Sequence, residues 1–185
     1  MTILIINNKG QYNHRIQRAL KYLNIPCELV SNDLSIEEIE VKKPKGLILG
    51  GGPSIDEGGL CEDYIKHFKI PVLGICLGHQ IIAKTFGGKI NNSENESYAK
   101  VKINILDDEN LFKSLAPKME VWSSHKEEVE KIPDDFKILA NSELCDVESF
   151  KHRELDIYGI QFHPEVHHTP KGSVIFENFY NICNK

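Results

Sequence analysis

Cys76 stands in the stretch GICLGHQ (residues 74–80), directly after the apolar run PVLGI and directly before HQIIAKTF. A strand, then G-x-C-x-G, then a helix is typical of a nucleophile elbow, with the thiol where hydrolases carry a serine. Gly74 and Gly78 supply the small neighbours that this tight turn needs. The helix N-terminus favours thiolate over thiol, and the N–H of Leu77 is free to bind a developing oxyanion. The alternative is that Cys76 is a small core residue at a strand end.

A candidate base for this thiol lies in GIQFHPEV (residues 159–166), where an apolar strand leads into His163. Residues two apart in an extended segment point to the same side, and Pro164 disfavours a helix, so Glu165 is predicted to face the His163 ring. The carboxylate would hold one tautomer while the other ring nitrogen faces the thiol. Nucleophilic acyl chemistry needs this set of cysteine, histidine and carboxylate.

Two other interpretations of this histidine stay open. His163 is either a satisfied polar group at a strand end or, with His167 and His168, part of a metal site. Pro164 and Pro170 oppose the helix that would align His163 with His167, and no cysteine lies close in sequence. The spacing therefore favours the triad, and no metal is expected.

The glycine-rich turn LGGGPS (residues 49–54) follows another apolar strand. It lacks the Gly-Lys-Ser/Thr ending of a phosphate loop and the G-x-G-x-x-G spacing of a dinucleotide site. Because neighbouring parallel strands end at the same edge of a sheet, Gly52 is predicted to bring a second oxyanion N–H beside Cys76. The alternative is a plain turn rich in glycine and proline.

An α/β sheet has to position these residues. In the first half of the chain, strand-like runs alternate with helix-like segments, which is the pattern of parallel strands with crossover helices. Ser35 and Glu38 form a capping box for a short helix. From about Lys89 onward, alternating and β-branched segments predict antiparallel strands at the sheet edge. The expected strands are 3–7, 27–30, 46–50, 72–75, 97–106, 118–124, 136–142, 145–152 and 157–163, and the expected helices are 14–23, 61–68, 78–86 and 173–182.

The composition limits the class of protein. The chain has 185 residues, enough for one ordinary core, so we expect a single domain over residues 1–185. A net charge of −5 argues against nucleic acid or an anionic membrane as a partner. The polar N-terminus and the five cysteines, an odd number without a CxxC pair, predict a cytoplasmic protein without disulfides.

GICLGHQ, GIQFHPEV and LGGGPS together resemble the class I (triad) glutamine amidotransferases over nearly the whole chain. The resemblance implies a flavodoxin-like α/β fold, with a mainly parallel sheet and helices on both faces. It also implies hydrolysis of glutamine to glutamate and ammonia through a γ-glutamyl thioester. By the same resemblance, the nucleophile is Cys76, the general base and acid is His163, its orienter is Glu165, the oxyanion donors are Gly52 and Leu77, and the substrate-binding residues are Gln80, Ser124 and His125.

Within that family, NNKGQYNHRI (7–16), VWSSHKEEV (121–129) and HPEVHHTPKG (163–172) resemble the glutaminases of GMP synthases, especially the short stand-alone ones of archaea. The sequences typical of the anthranilate and aminodeoxychorismate branch are absent. One departure is Asn7, where the first strand of these glutaminases usually ends in Asp.

The resemblance implies a separate partner, the ATP pyrophosphatase subunit that adenylylates xanthosine monophosphate and accepts the ammonia. ATP and magnesium are expected on that partner, and no cofactor on this chain. We expect the lone chain to be slow, with its triad or oxyanion loop out of position until docking, because LGGGPS and SSHKE are expected to be exposed.

Several alternatives remain for the function. The chain could serve another pathway, such as chorismate amination or carbamoyl phosphate synthesis, or hydrolyse γ-glutamyl peptides. It could also be a non-catalytic redox or chaperone-like protein of the same fold.

Overall fold

A nine-stranded mixed sheet organises the chain. The computed structural model describes residues 2–185, and for residues 93–97 the backbone alone. The strand order is β2-β1-β3-β4-β9-β8-β7-β5-β6. The strands are β1 (Thr2–Asn7), β2 (Cys27–Ser31), β3 (Pro44–Leu49), β4 (Val72–Ile75), β5 (Lys89–Ile105), β6 (Lys118–Lys131), β7 (Phe136–Asn141), β8 (Ser149–His152) and β9 (Ile157–Ile160).

The parallel half of the sheet consists of β2, β1, β3, β4 and β9. Strands β4 and β9 are buried at every position, as is expected of parallel strands covered on both faces. Their carboxyl ends lie side by side, with Ile75 paired to Ile160. The segments that follow these two strands, which carry Cys76 and His163, therefore start from the same edge of the sheet.

The second half of the chain adds four antiparallel strands beyond β9. This confirms the predicted α/β class with antiparallel additions at the edge. Two boundaries differ from the prediction. The strand expected over 145–152 begins only at Ser149, because Cys145 closes a turn with Ser142. Strand β6 runs on to Lys131 through SSHKE, where β5 supplies a long antiparallel partner.

Helices cover both faces of the sheet, as predicted. On one face, α1 buries Ile16 and Leu20, and α5 buries Phe176 and Phe179. The other face is covered by α2, α3 and α4. Ser35 and Glu38 form the predicted capping box of α2. The helices are α1 (Asn13–Tyr22), α2 (Ile36–Val41), α3 (Cys61–His67), α4 (Leu77–Thr85) and α5 (Gly172–Cys183).

Two further observations concern the whole described chain. Within residues 2–185, every helix is too short or too polar to cross a membrane. The five cysteines carry free thiols.

Candidate active site

Cys76 lies on a strained turn between β4 and α4. Its φ of 54° and ψ of −104° are rare for a residue with a side chain, and such strain collects at functional sites. The turn closes only with glycine on both sides. A Cβ at Gly74 would collide with the backbone of Gly78, and a Cβ at Gly78 would collide with the carbonyl of Leu49. The geometry is that of the elbow expected from the sequence.

His163 follows β9 after a short irregular segment and is held from several sides. Its Nδ1 lies 2.7 Å from Oε1 of Glu165, and both side chains are almost completely buried. Its backbone N–H donates to the carbonyl of Trp122 at 3.0 Å, and the Thr169 hydroxyl donates to its carbonyl at 2.7 Å. The Tyr12 ring packs edge-on at 5.0 Å between centroids. These contacts fix the ring and leave Nε2 for the thiol side.

The electrostatics of His163 favour an imidazolium. Burial lowers the pKa of His163, but the charges of the Glu165 carboxylate and the Cys76 thiolate, together with hydrogen bonds to both, raise it well above its usual value. The structure therefore places Cys76, His163 and Glu165 in one buried, coupled group.

Gln161 is a polar neighbour of the thiol that sequence reasoning missed. It is fully buried, and its Nε2 lies 3.8 Å from Cys76 Sγ, while the thiol can donate to the carbonyl of Ser124 at the same distance. The signal available in the sequence was its place two residues before His163, on an otherwise apolar strand end. Its amide can stabilise negative charge on sulfur.

The two expected oxyanion donors lie beside the thiol. Leu77 is the first residue of α4, where an amide has no acceptor within the helix, and Gly52 lies in the glycine-rich turn after β3. Both line a cavity of about 540 Å³ together with Cys76 and His163. Ligands of α/β sheets bind at this edge, outside the carboxyl ends of the strands.

The three expected substrate-binding residues, Gln80, Ser124 and His125, also line this cavity. Gln80 is engaged internally, because its Nε2 donates to the Glu127 carbonyl at 2.7 Å. Burial lowers the pKa of His125 to about 4, so its ring is neutral near pH 7. Its Nδ1 is buried and has no partner among the described residues.

The expectation that LGGGPS and SSHKE are exposed was wrong for most of their residues. Gly50, Gly51, Ser123 and His125 are buried, because both segments lie against the cavity wall rather than project from it. Pro53 and Lys126 lie at its mouth and are more accessible to solvent.

The metal interpretation gains no support from the geometry. His167 and His168 pack against each other at 4.4 Å between ring centroids, and Trp122 packs on His168. Among the described side chains, no group of three or more metal-ligating residues is suitably arranged. Nδ1 of His163 is already bonded to Glu165.

Comparisons with known proteins agree with this geometry. The family model for glutamine amidotransferase class-I matches residues 4–183. The chain is 77% identical to the protein named as the glutamine-hydrolysing component of GMP synthase in Methanobrevibacter smithii, covering 100% of this chain and 97% of that protein. It is 50% identical to the protein of the same name from Pyrococcus furiosus, covering 99% of each.

Solved structures give the same result for the fold. A candidate GMP synthase component from Thermoplasma acidophilum superposes with a TM-score of 0.92 at 39% identity, covering 100% of this chain and 94% of that one. A glutamine amidotransferase from Thermotoga maritima gives 0.71 at 21% identity over 98% and 83%, which supports the fold alone.

Proposed function

The chain belongs to the class I glutamine amidotransferases, and we propose that it is the glutamine-hydrolysing subunit of a GMP synthase. The full-length similarity to proteins that carry this name supports the branch. One structural observation supports the chemistry most directly: the buried His163 ring is bonded to Glu165 and coupled to the Cys76 thiol at the base of a cavity.

In this proposal, Cys76 Sγ attacks the side-chain amide carbon of L-glutamine. The N–H groups of Gly52 and Leu77 bind the oxyanion of the tetrahedral intermediate. His163 gives a proton to the amide nitrogen, which leaves as ammonia, and a γ-glutamyl thioester remains on Cys76. A water molecule then loses a proton to His163 and attacks the thioester, which releases glutamate and returns the thiol. Glu165 keeps the imidazole oriented and stabilises its charged form.

The cavity wall is suited to the two ends of an amino acid. Lys9 and Lys126 bring positive charge and Glu127 brings negative charge to the cavity. His125 is neutral near pH 7, so we assign it a hydrogen bond to substrate rather than an ion pair. The main chain of Ser124 adjoins the thiol, and Gln80 supports the wall through Glu127.

The ammonia requires an acceptor enzyme. We propose a separate synthetase subunit that uses ATP and magnesium to adenylylate xanthosine monophosphate and then takes up the ammonia. These are metabolites of the cytoplasm, where we place the complex. The contact between His163 and Glu165 is already formed in the chain by itself. Any dependence on the partner would therefore act on the oxyanion peptide or the cavity mouth rather than on this pair.

The test is a glutaminase assay with and without the purified synthetase and its nucleotides. We expect glutamine hydrolysis to increase when the synthetase, ATP and xanthosine monophosphate are present. Stimulation by a chorismate-aminating or carbamoyl phosphate synthetase instead would assign another branch. Absence of glutamine hydrolysis under all of these conditions would refute the enzymatic proposal.

A further inference from the structure

The glycine-rich turn after β3 is held by the segment that follows β1. The carbonyl of Gly51 accepts two hydrogen bonds, one from the N–H of Gly10 and one from Nδ2 of Asn13, each 3.0 Å long. Nδ2 of Asn13 also donates to Oδ1 of Asn7 at 2.8 Å. Asn13 is the first residue of α1 and is 2% exposed, so its side chain is anchored on a packed helix.

Backbone groups settle the orientation of both amides in this chain of contacts. The N–H of Lys9 can only donate, and it meets the Asn7 side chain at 3.0 Å, so the Asn7 atom there is oxygen. The Gly51 carbonyl can only accept, so the Asn13 atom facing it is the NH₂ group. That single group then supplies one proton to each partner.

Holding the Gly51 carbonyl also aims the next N–H. A trans peptide is planar, so its C=O and N–H point in opposite directions. With the Gly51 carbonyl turned toward Asn13, the Gly52 N–H is turned away from it. Gly51 itself adjoins the reacting groups, since a Cβ placed there would lie 3.5 Å from Cε1 of His163 and 3.8 Å from Cβ of Cys76.

We infer that Asn13 is a positioning residue for the oxyanion hole and that Asn7 anchors it. Asn13 sets the direction of the Gly52 N–H without touching substrate. Asn7 serves as an acceptor, both for Asn13 and for the Asx turn in which Lys9 takes a φ of 66°. The inference rests on the proposed glutaminase activity.

The acceptor role accounts for Asn7 in place of the Asp expected from the resemblance. An Asn oxygen and an Asp oxygen accept the same two hydrogen bonds, so the negative charge is not needed at this position. Stability alone does not account for Asn13. Its Oδ1 is buried against Gly50 and has no partner among the described residues, and an unsatisfied buried acceptor costs about 1–3 kcal/mol.

The experiment measures glutaminase kinetics of the complex with its synthetase for Asn13→Ala, Asn7→Ala and Asn7→Asp. Without Asn13, the Gly10 N–H alone holds the peptide. We expect kcat to fall by about tenfold or more, toward the loss seen when an oxyanion donor is removed, with KM little changed. Asn7→Ala should lower kcat by a smaller factor, and Asn7→Asp should restore it.

Two controls separate positioning from a general loss of structure. Iodoacetamide alkylates a thiolate without forming an oxyanion, so its rate with Cys76 should stay near that of the wild type in Asn13→Ala. Asn178→Ala removes a similar amide, whose Nδ2 donates to the carbonyls of Leu111 and Lys113 outside the cavity. That variant should lose stability but keep kcat.

An unchanged kcat in Asn13→Ala, with the wild type active, would overturn the inference and leave the proposed function intact. A parallel loss of alkylation and kcat would also overturn it, because the role would then be structural. If Asn13→Ala does not fold, the pair Asn7→Ala and Asn7→Asp decides, since equal kcat values for the two exclude the acceptor role. A wild-type complex without glutaminase activity would refute the function itself.

Discussion

Replacing Glu165 with glutamine tests how much the buried carboxylate contributes to catalysis. The change keeps the size of the side chain and removes its charge, 2.7 Å from Nδ1 of His163. Both side chains are buried, so solvent weakens this interaction little. Because the carboxylate charge helps to raise the pKa of His163, its removal should lower that pKa, in the direction that burial already favours.

The size of the effect follows from this one contact. A hydrogen bond to a charged group is worth about 1.5–3 kcal/mol. At about 1.4 kcal/mol per pH unit, the pKa of His163 should fall by about 1–2 units. The same energy, lost from stabilisation of the imidazolium, should lower kcat by about 10- to 100-fold.

The assay is the pH dependence of kcat/KM for glutamine hydrolysis in the complex. The imidazolium must give its proton to the leaving ammonia, so its deprotonation limits activity at high pH. In Glu165→Gln the alkaline limb should therefore move to lower pH. Glu154→Gln makes the same chemical change on the exposed surface and should leave the profile unchanged. An unshifted alkaline limb and a kcat within about threefold of the wild type would refute the assigned role of Glu165.

Three further variants test the site and its scaffold. Cys76→Ala should abolish glutaminase while ammonium salts still support amination by the complex; glutamine-dependent turnover in that variant would contradict the assignment. Gly78→Ala should destabilise the fold by about 3 kcal/mol in urea unfolding, because the added Cβ collides with the Leu49 carbonyl, whereas Gly87→Ala meets open space and should cost only about 1 kcal/mol for its positive φ. Equal losses would show that this collision is relieved. Burial raises the pKa of Glu148 to about 7, so the folded state binds that proton more tightly than the unfolded chain does, and stability should fall as pH rises from about 4.5 to 7. Glu148→Gln should then melt above the wild type near pH 8 by a larger margin than near pH 5, and a margin independent of pH would contradict this.

The reactive core of the site was predictable because its signals are local. The glycines around Cys76 report a turn that admits no Cβ, and the spacing of His163 and Glu165 reports an extended segment. The parallel strands were equally predictable, because β4 and β9 are short apolar runs buried on both faces. Such patterns need no knowledge of distant contacts.

The parts that sequence reasoning missed depend on distant contacts. The extension of β6 through SSHKE requires β5 as its partner, and the alternation of that segment alone does not give its length. Gln161 meets Cys76 from 85 residues away, and Asn13 meets Gly51 from 38 residues away. Polar side chains of this kind resemble ordinary surface residues until the fold brings them together.

Selective labelling of the thiol tests the central claim most directly. The wild-type complex would be treated with a glutamine chloroketone, with and without L-glutamine, and each cysteine-containing peptide analysed by mass spectrometry. Burial raises the pKa of each of the other four thiols, Cys27, Cys61, Cys145 and Cys183, so they should stay unmodified. The account predicts one label per chain, on Cys76, that glutamine suppresses and His163→Ala slows. A label on another cysteine, or glutamine turnover that continues after Cys76 is fully modified, would contradict it.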